Sequence, residues 1–324
     1  MTSEPATRQR PDFSVIPIKR QKGFALPLVL GITAMILVMI LAVSDSVSRK
    51  IRVVSELNNH AKAELKAISG YNRALYTLLV STYTPTGLQV HGPPDSGIFG
   101  MPEENGSSTF WNLYGTPIKL GPGLALEMRD TAGMVSPLFA SSLLRRLMEQ
   151  TADDPDQPQR ALAALSDWQD RDDLKRINGA EAWDYRSADL AYTPRNTYVQ
   201  SVSELYLVKN FDPGLIKKLE DHLVYWPTGN TNYLTMPDDL LRAALNDAQQ
   251  AGQIIELRKQ GRLTPSVFTS LTGIRQTMDN SFYPSGRIRM TVTAESDTAK
   301  SRIQAVVSKR SADSKPFTIL SWKR

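Results

Sequence analysis

The sequence contains no cysteine. A structural disulfide, a thiolate zinc site and a cysteine nucleophile are therefore excluded. Histidine is scarce too: the only three, His60, His91 and His222, lie far apart along the chain. There is no HExxH, no nucleophile elbow and no phosphate loop, and Gly121-Pro122-Gly123 lacks the strand–helix context of a nucleotide site. No catalytic constellation is present, so the expectation is a protein that is not an enzyme. Strong net charge is also missing. The 38 Lys and Arg residues against 33 Asp and Glu give a formal +5. The first 22 residues supply part of this, with Arg8, Arg10, Lys19, Arg20 and Lys22 against Glu4 and Asp12. The remainder is close to neutral, which argues against a nucleic-acid footprint. What is there is ordinary for a globular protein: 41% hydrophobic and 22% charged residues. The 324 residues suffice for about two folding units.

One long apolar run breaks this ordinary composition. No charged residue occurs from Gly23 to Val43. A run of about 20 residues matches a hydrocarbon core about 30 Å thick. Basic residues precede it, so the N-terminus is expected in the cytoplasm and the rest beyond the membrane. Three readings compete. A cleaved secretory signal has a shorter apolar stretch ending in a small-residue site, whereas Ser44-Asp45-Ser46-Val47 follows here. A plain anchor fits the run but assigns no role to Lys22-Gly23-Phe24. A leader removed before the apolar run accounts for that basic–small–aromatic junction.

The junction resembles those of the type IV pilin and type II secretion pseudopilin families. The resemblance implies processing at Gly23 by a prepilin peptidase and methylation of Phe24, the first mature residue. Those families usually carry Glu as the fifth mature residue, and here it is Leu28. A membrane carboxylate needs a partner. In the families this is the neighbouring subunit's N-terminal amine, and the K-type minor pseudopilin, placed at the tip, typically lacks the Glu. The resemblance to that branch extends along most of residues 20–324. It includes Asp167-Trp168-x-Asp170-x-Asp172, Asn178-Gly179-Ala180-Glu181, Tyr192-x-Pro194 with Asn196, Ser203-Glu204-Leu205, Thr235-x-Pro237 and Ile319-Leu320-Ser321-Trp322.

Beyond the apolar run the pattern turns amphipathic. Val47, Ile51, Val54, Leu57, Ala61, Leu65, Ile68, Leu75 and Leu78 recur mostly three or four apart among charged residues. One helix from Phe24 to about Val80 is expected, with Pro27 harmless in its first turn; the competing reading breaks it at Ser44-Asp45-Ser46. Residues 81–110, rich in Pro, Gly and Ser, read as a loop. Thr116–Leu120 and Leu124–Arg129 read as strands, with a turn at Asp130–Gly133 and Met134–Ser136 returning. Helical patterns fill 137–150, 160–168, 200–226 and 237–275. Arg287–Thr293, Ser301–Ser308 and Phe317–Trp322 read as antiparallel strands.

The expected fold class is α+β, with a pilin-like long N-terminal helix on a small antiparallel sheet and a large inserted all-helical domain. The divisions are a leader at 1–23, a transmembrane segment at 24–43 and a helix, loop and first strands at 44–136. The inserted helical domain follows at 137–283, and the closing strands at 284–324.

The segment from Asp167 to Asp184 has metal-ligand character. Hard Ca²⁺ takes several oxygens from a short loop. Asp170, Asp172, Asn178 and Glu181 are the candidate ligands, with Asp167, Asp173 and Asp184 in reserve; the competing reading is a solvated acidic loop with helix caps. The resemblance implies Ca²⁺ in this domain. The family's usual two acidic residues after the Glu are replaced here by Ala182-Trp183-Asp184. The Ser203–Val224 pair has a helix-hairpin-helix outline. Its lysines, Lys209, Lys217 and Lys218, are offset by Glu204, Asp212, Glu220 and Asp221, and its apolar positions read as core.

The resemblance also implies partners: I- and J-type minor pseudopilins, joined through Val47, Ile51, Val54, Leu57, Ala61 and Leu65, the major pseudopilin, the prepilin peptidase and the inner-membrane secretion platform. The implied role is initiation of the pseudopilus and export across the outer membrane. The implied location is the bacterial inner membrane, single pass, with the C-terminal domain periplasmic. A minor pilin of a surface or DNA-uptake pilus shares the leader and stays open as the alternative.

Overall fold

A computed structural model describes residues 25–90, 109–138, 141–245, 247–309 and 315–324. Gly23 and Phe24, and with them the expected cut, lie outside the described residues, as does His91. The chain divides into two compact units, Met1–Leu57 and Asn58–Arg324.

Helix α1 runs unbroken from Ala25 to Val80, about 84 Å at 1.5 Å per residue. The Ser44-Asp45-Ser46 break does not occur. Asp45 instead forms a 3.0 Å ion pair with Arg49 one turn on, which supports the helix where the apolar run ends. Within that run the Thr33 hydroxyl donates back to the carbonyls of Val29 and Leu30 at 3.0 Å, so it needs no partner outside the helix. The helix has an 18-residue window of mean hydropathy 2.8, none of it buried. It is long and apolar enough to cross a membrane.

In the second unit, the C-terminal part of α1 lies on a sheet. Ala63, Ala67, Gly70, Tyr71, Ala74 and Leu78 are buried. This is a stripe of mostly small residues, offset from the one expected through Leu65, which stays exposed. Small residues bring the helix backbone close: a Cβ on Gly70 would lie 2.9 Å from Leu124 Cδ1 and 3.0 Å from Val292 Cγ1.

The main sheet is antiparallel with five strands. They are β4 (Ile118–Gly121), β5 (Leu124–Asp130), β6 (Arg287–Ser296), β7 (Ala299–Ser308) and β8 (Thr318–Lys323), in that order. Ile288, Met290, Val292, Ile303, Ala305 and Val307 alternate onto the α1 face and are fully buried. Each large one contributes about 2 kcal/mol of burial.

A smaller sheet, β1 (Thr82–Thr84), β2 (Gly87–Val90) and β3 (Thr109–Asn112), adds Leu88 and Trp111 to the same core. The expected loop at 81–110 thus contains a hairpin. Its signal was hidden because Thr82–Val90 is short and interrupted by Pro85 and Gly87.

Strands β5 and β6 are direct neighbours, with Asp130 opposite Ile288, yet everything from Thr131 to Gly286 lies between them. Met134–Ser136 do not return as a hairpin strand. Val135 instead bridges Leu223, and the chain enters the helical block. That block comprises α2 (Ser142–Thr151), α3 (Gln157–Gln169), α4 (Ala182–Arg186), α5 (Val202–Leu205), α6 (Pro213–Leu219), α7 (Asp238–Ala244), α8 (Ala248–Lys259) and α9 (Pro265–Thr272). Its core, around Leu147, Leu165, Trp168, Leu205, Ile216, Leu240, Ile254 and Phe268, is a separate cluster from that of the sheet.

Buried polar groups join the two cores. Asp130, at the end of β5, is fully buried. It accepts from Ala132 N (3.3 Å), Ser285 N (3.1 Å), Ser285 Oγ, Thr235 Oγ1 (3.0 Å) and Asn232 Nδ2 (3.4 Å). Three arginines of the sheet donate to carbonyls of the segment after α6. Arg129 reaches Asp221 O at 2.7 Å, Arg289 reaches Asp221 O at 3.1 Å and also Leu223 O, and Arg287 reaches Pro227 O at 2.8 Å. Burial pushes the Arg289 guanidinium down to about 10. Arg258 of α8 bonds the carbonyls of Leu234 and Met236 and stacks 4.0 Å over the Tyr114 ring, a cation–π contact between the two parts. An Asp130→Ala variant leaves these donors unmet. It is expected to lose about 3 kcal/mol of stability in urea unfolding; a loss below half a kcal/mol contradicts this role.

Candidate metal centre

Helix α3 ends with Asp167 in its last turn and Asp170 as its C-cap, and Glu181 is the N-cap of α4. The twelve-residue connection, 170–181, folds back so that one carboxylate oxygen of each lies within 4.8 Å of the others. Two features allow this. Asn178 adopts the left-handed region at φ 65°. Next to it, Gly179 lies under Asp167, where a Cβ would stand 1.9 Å from Oδ2; no larger residue fits there without moving the carboxylate.

Behind the trio the packing is dense. Trp168, Tyr185 and Tyr192 form an aromatic cluster with centroids 5.6–6.3 Å apart. Trp168 Nε1 donates to Glu204 at 3.0 Å, and Arg195 donates to the same carboxylate at 3.0 Å. Lys175 pairs with Asp184 at 2.5 Å and Asp184 accepts from Glu181 N at 2.9 Å, which closes the loop onto α4.

The trio is unevenly satisfied. Arg176 donates from Nη1 to Asp167 Oδ1 at 2.8 Å and to Asp170 Oδ2, and its backbone N–H reaches Asp167 Oδ2 at 3.2 Å. These bonds hold the Arg176 guanidinium above its usual range. Glu181 is only 4% exposed. Among the described residues, neither of its carboxylate oxygens has a hydrogen-bond partner beyond the backbone N–H groups that open α4, and Asp170 Oδ1 has none. Burial, then the charges of Asp167, Asp170 and Asp173, push the Glu181 carboxyl up to about 7.

Of the expected ligands, the structure thus brings Asp170 and Glu181 together and adds Asp167. Asp172 is exposed and its carboxylate accepts from Leu174 N at 2.9 Å; Asn178 is exposed and its carbonyl accepts from Asn210 at 3.4 Å. The place of Asp167 was readable: three residues before Asp170, it faces the same way one helical turn earlier. Nothing in the sequence singles out Arg176. On α1, the expected partner positions Val47, Ile51, Val54, Leu57, Ala61 and Leu65 are all exposed.

Fold and site together define a pilin-like α+β subunit with an inserted helical domain that carries a carboxylate cluster. Residues 128–228, which contain that cluster, match the family described as Type II secretion system (T2SS), protein K. Two relatives bear the name Type II secretion system protein K. The one from Pectobacterium carotovorum subsp. carotovorum is 28% identical over 116 residues, covering 35% of this chain and 35% of that protein. The one from Dickeya chrysanthemi is 33% identical over 89 residues, covering 28% and 24%. The matches thus span about a third and about a quarter of the relatives' own lengths. The fold is similar to that in the crystal structure of the GspK-GspI-GspJ complex from the enterotoxigenic Escherichia coli type 2 secretion system. There the TM-score is 0.51 at 15% identity, covering 84% of this chain and 98% of that one. The resemblance to protein K read from the sequence holds.

A raised carboxyl favours the folded state at low pH and loses that contribution as pH rises from the ordinary 4.5 through about 7. In chelator, the melting temperature is therefore expected to fall between pH 5 and pH 8, and Glu181→Gln to flatten the fall. An unchanged slope in that variant contradicts the assignment.

Proposed function

We propose that this chain is a minor pseudopilin of a type II secretion system, acting by assembly rather than catalysis. The family match across residues 128–228, on a pilin-like fold, carries this reading. The chain is cut after Gly23, the mature protein begins at Phe24, and α1 anchors it in the inner membrane with Asn58–Arg324 in the periplasm.

The helix presents what assembly requires. Ile51, Val54 and Leu57 are each more than 60% exposed, as is Leu65. Exposed apolar residues at helical spacing are a docking face for other amphipathic helices. The similar E. coli structure is a complex of GspK with GspI and GspJ, and the occupants of this face are the corresponding I- and J-type subunits. Leu28 in place of the membrane Glu, and the bulk of the inserted domain, favour a position at the tip.

The carboxylate centre is a Ca²⁺ site in this reading. Its donors are hard oxygens, and among the described residues no side-chain donor reaches Asp170 Oδ1 or the Glu181 carboxylate. Asp167, Asp170 and Glu181 would hold the ion. When bound, Ca²⁺ would offset most of the carboxylate charge and tie the end of α3 to the start of α4.

Ile51→Glu combined with Leu57→Glu puts charge on the docking face without touching either core. Co-purification of the I- and J-type subunits with the full chain is expected to fall at least tenfold, with exoprotein secretion falling in parallel. Undiminished co-purification contradicts the proposed interface.

A further inference from the structure

We infer that Arg176 is a tethered cation that holds the carboxylate centre together when no metal is bound, and that a divalent cation displaces it. The inference rests on the reading of the centre as a cation site and concerns how that site is regulated. Three carboxylates meet there, and like charges so close demand compensation. Arg176 supplies one positive charge, bridging Asp167 and Asp170. No hydrogen bond joins it to Glu181, whose buried oxygens face only the backbone N–H groups that open α4 among the described residues. One guanidinium against three ionised carboxylates leaves the centre net negative, so it still attracts a dication.

The oxygens that Arg176 occupies belong to the same carboxylates that an ion at Glu181 would share. A guanidinium and a dication attracted to one small cluster repel each other. The arrangement also lets Arg176 leave. Its side chain is 48% exposed, and every residue from Arg171 to Asn178 is exposed, so the guanidinium can swing into water while Asp167, Asp170 and Glu181 stay fixed by helix ends and core. Lys175 cannot replace it, because it is engaged with Asp184 at 2.5 Å. Metal binding is thus an exchange of cations on a preformed centre. The metal-free protein keeps its fold, and the resident arginine sets the affinity.

The test uses the full chain in detergent, with calorimetric titration of CaCl₂ after chelation and thermal melts in chelator and in calcium. Removing the competitor in Arg176→Gln is expected to tighten calcium binding about tenfold. The same change is expected to lower the melting temperature in chelator by a few degrees and to leave the calcium-loaded one nearly unchanged. Binding by the wild type that is equal or weaker in Arg176→Gln overturns the exchange. Absence of binding in both proteins overturns the cation site itself. Binding by the variant alone upholds the exchange and shows that in the wild type the arginine takes the place of the ion. If Arg176→Gln does not fold in chelator, Arg176→Lys keeps the charge but loses the planar fork, and is expected to show a smaller gain in affinity.

Discussion

The arrangement of the second unit depends on one buried carboxylate. Asp130 ends β5 where the chain leaves the sheet, and it accepts from Ser285, where the chain returns. It also accepts from Asn232 and Thr235, deep in the inserted block. Without such a fixed point, two hydrophobic cores joined by two strands would swing about the mouth of the β5–β6 pair. Burial pushes the Asp130 carboxyl up, and four hydrogen bonds, two from Ser285 and one each from Ala132 and Thr235, oppose that shift. The group is costly when isolated and stabilising when all its donors are in place. The arginines of β5 and β6 extend the same logic to the carbonyls after α6. A polar seam of this kind holds two apolar cores in one relative position, which greasy contact alone would leave free to slide.

The proposed pseudopilin role calls for such a seam, which ties the inserted domain to the sheet. The sheet and the carboxylate centre then belong to one body, Asn58–Arg324. The small-residue face of α1, from Ala63 to Ala74, is consumed by the sheet. The bulky apolar residues on its other side remain exposed.

Much of this was legible in the residues. The apolar run, the helix to Val80, the closing strands β6 to β8 and the helical block all follow from periodicity, because each spans enough residues for its period to show. What stayed hidden depended on tertiary contacts. The hairpin β1–β2 is too short to display alternation. The supposed return at Met134–Ser136 follows a real turn at Asp130–Gly133, but the true partner of β5 lies far along the sequence at Arg287–Ser296. On α1 the buried stripe is mostly Ala and Gly, which a search for large apolar residues passes over. At the centre, the density of the acidic segment is legible, and the structure brings Asp170 and Glu181 of it together, while the Asp172 carboxylate accepts from Leu174 N. Arg176 was invisible, since a basic residue inside an acidic loop reads as a solvated neighbour until the fold brings it against Asp167 and Asp170.

The most direct test of the central claim, that this is a processed pilin-like subunit, is the N-terminal residue of the chain recovered from membranes. It should be determined with and without prepilin peptidase. The account predicts a mature chain beginning at Phe24 when the peptidase is present and an intact leader when it is absent. A chain that begins at Met1 in both, or one cut beyond Val43, contradicts it.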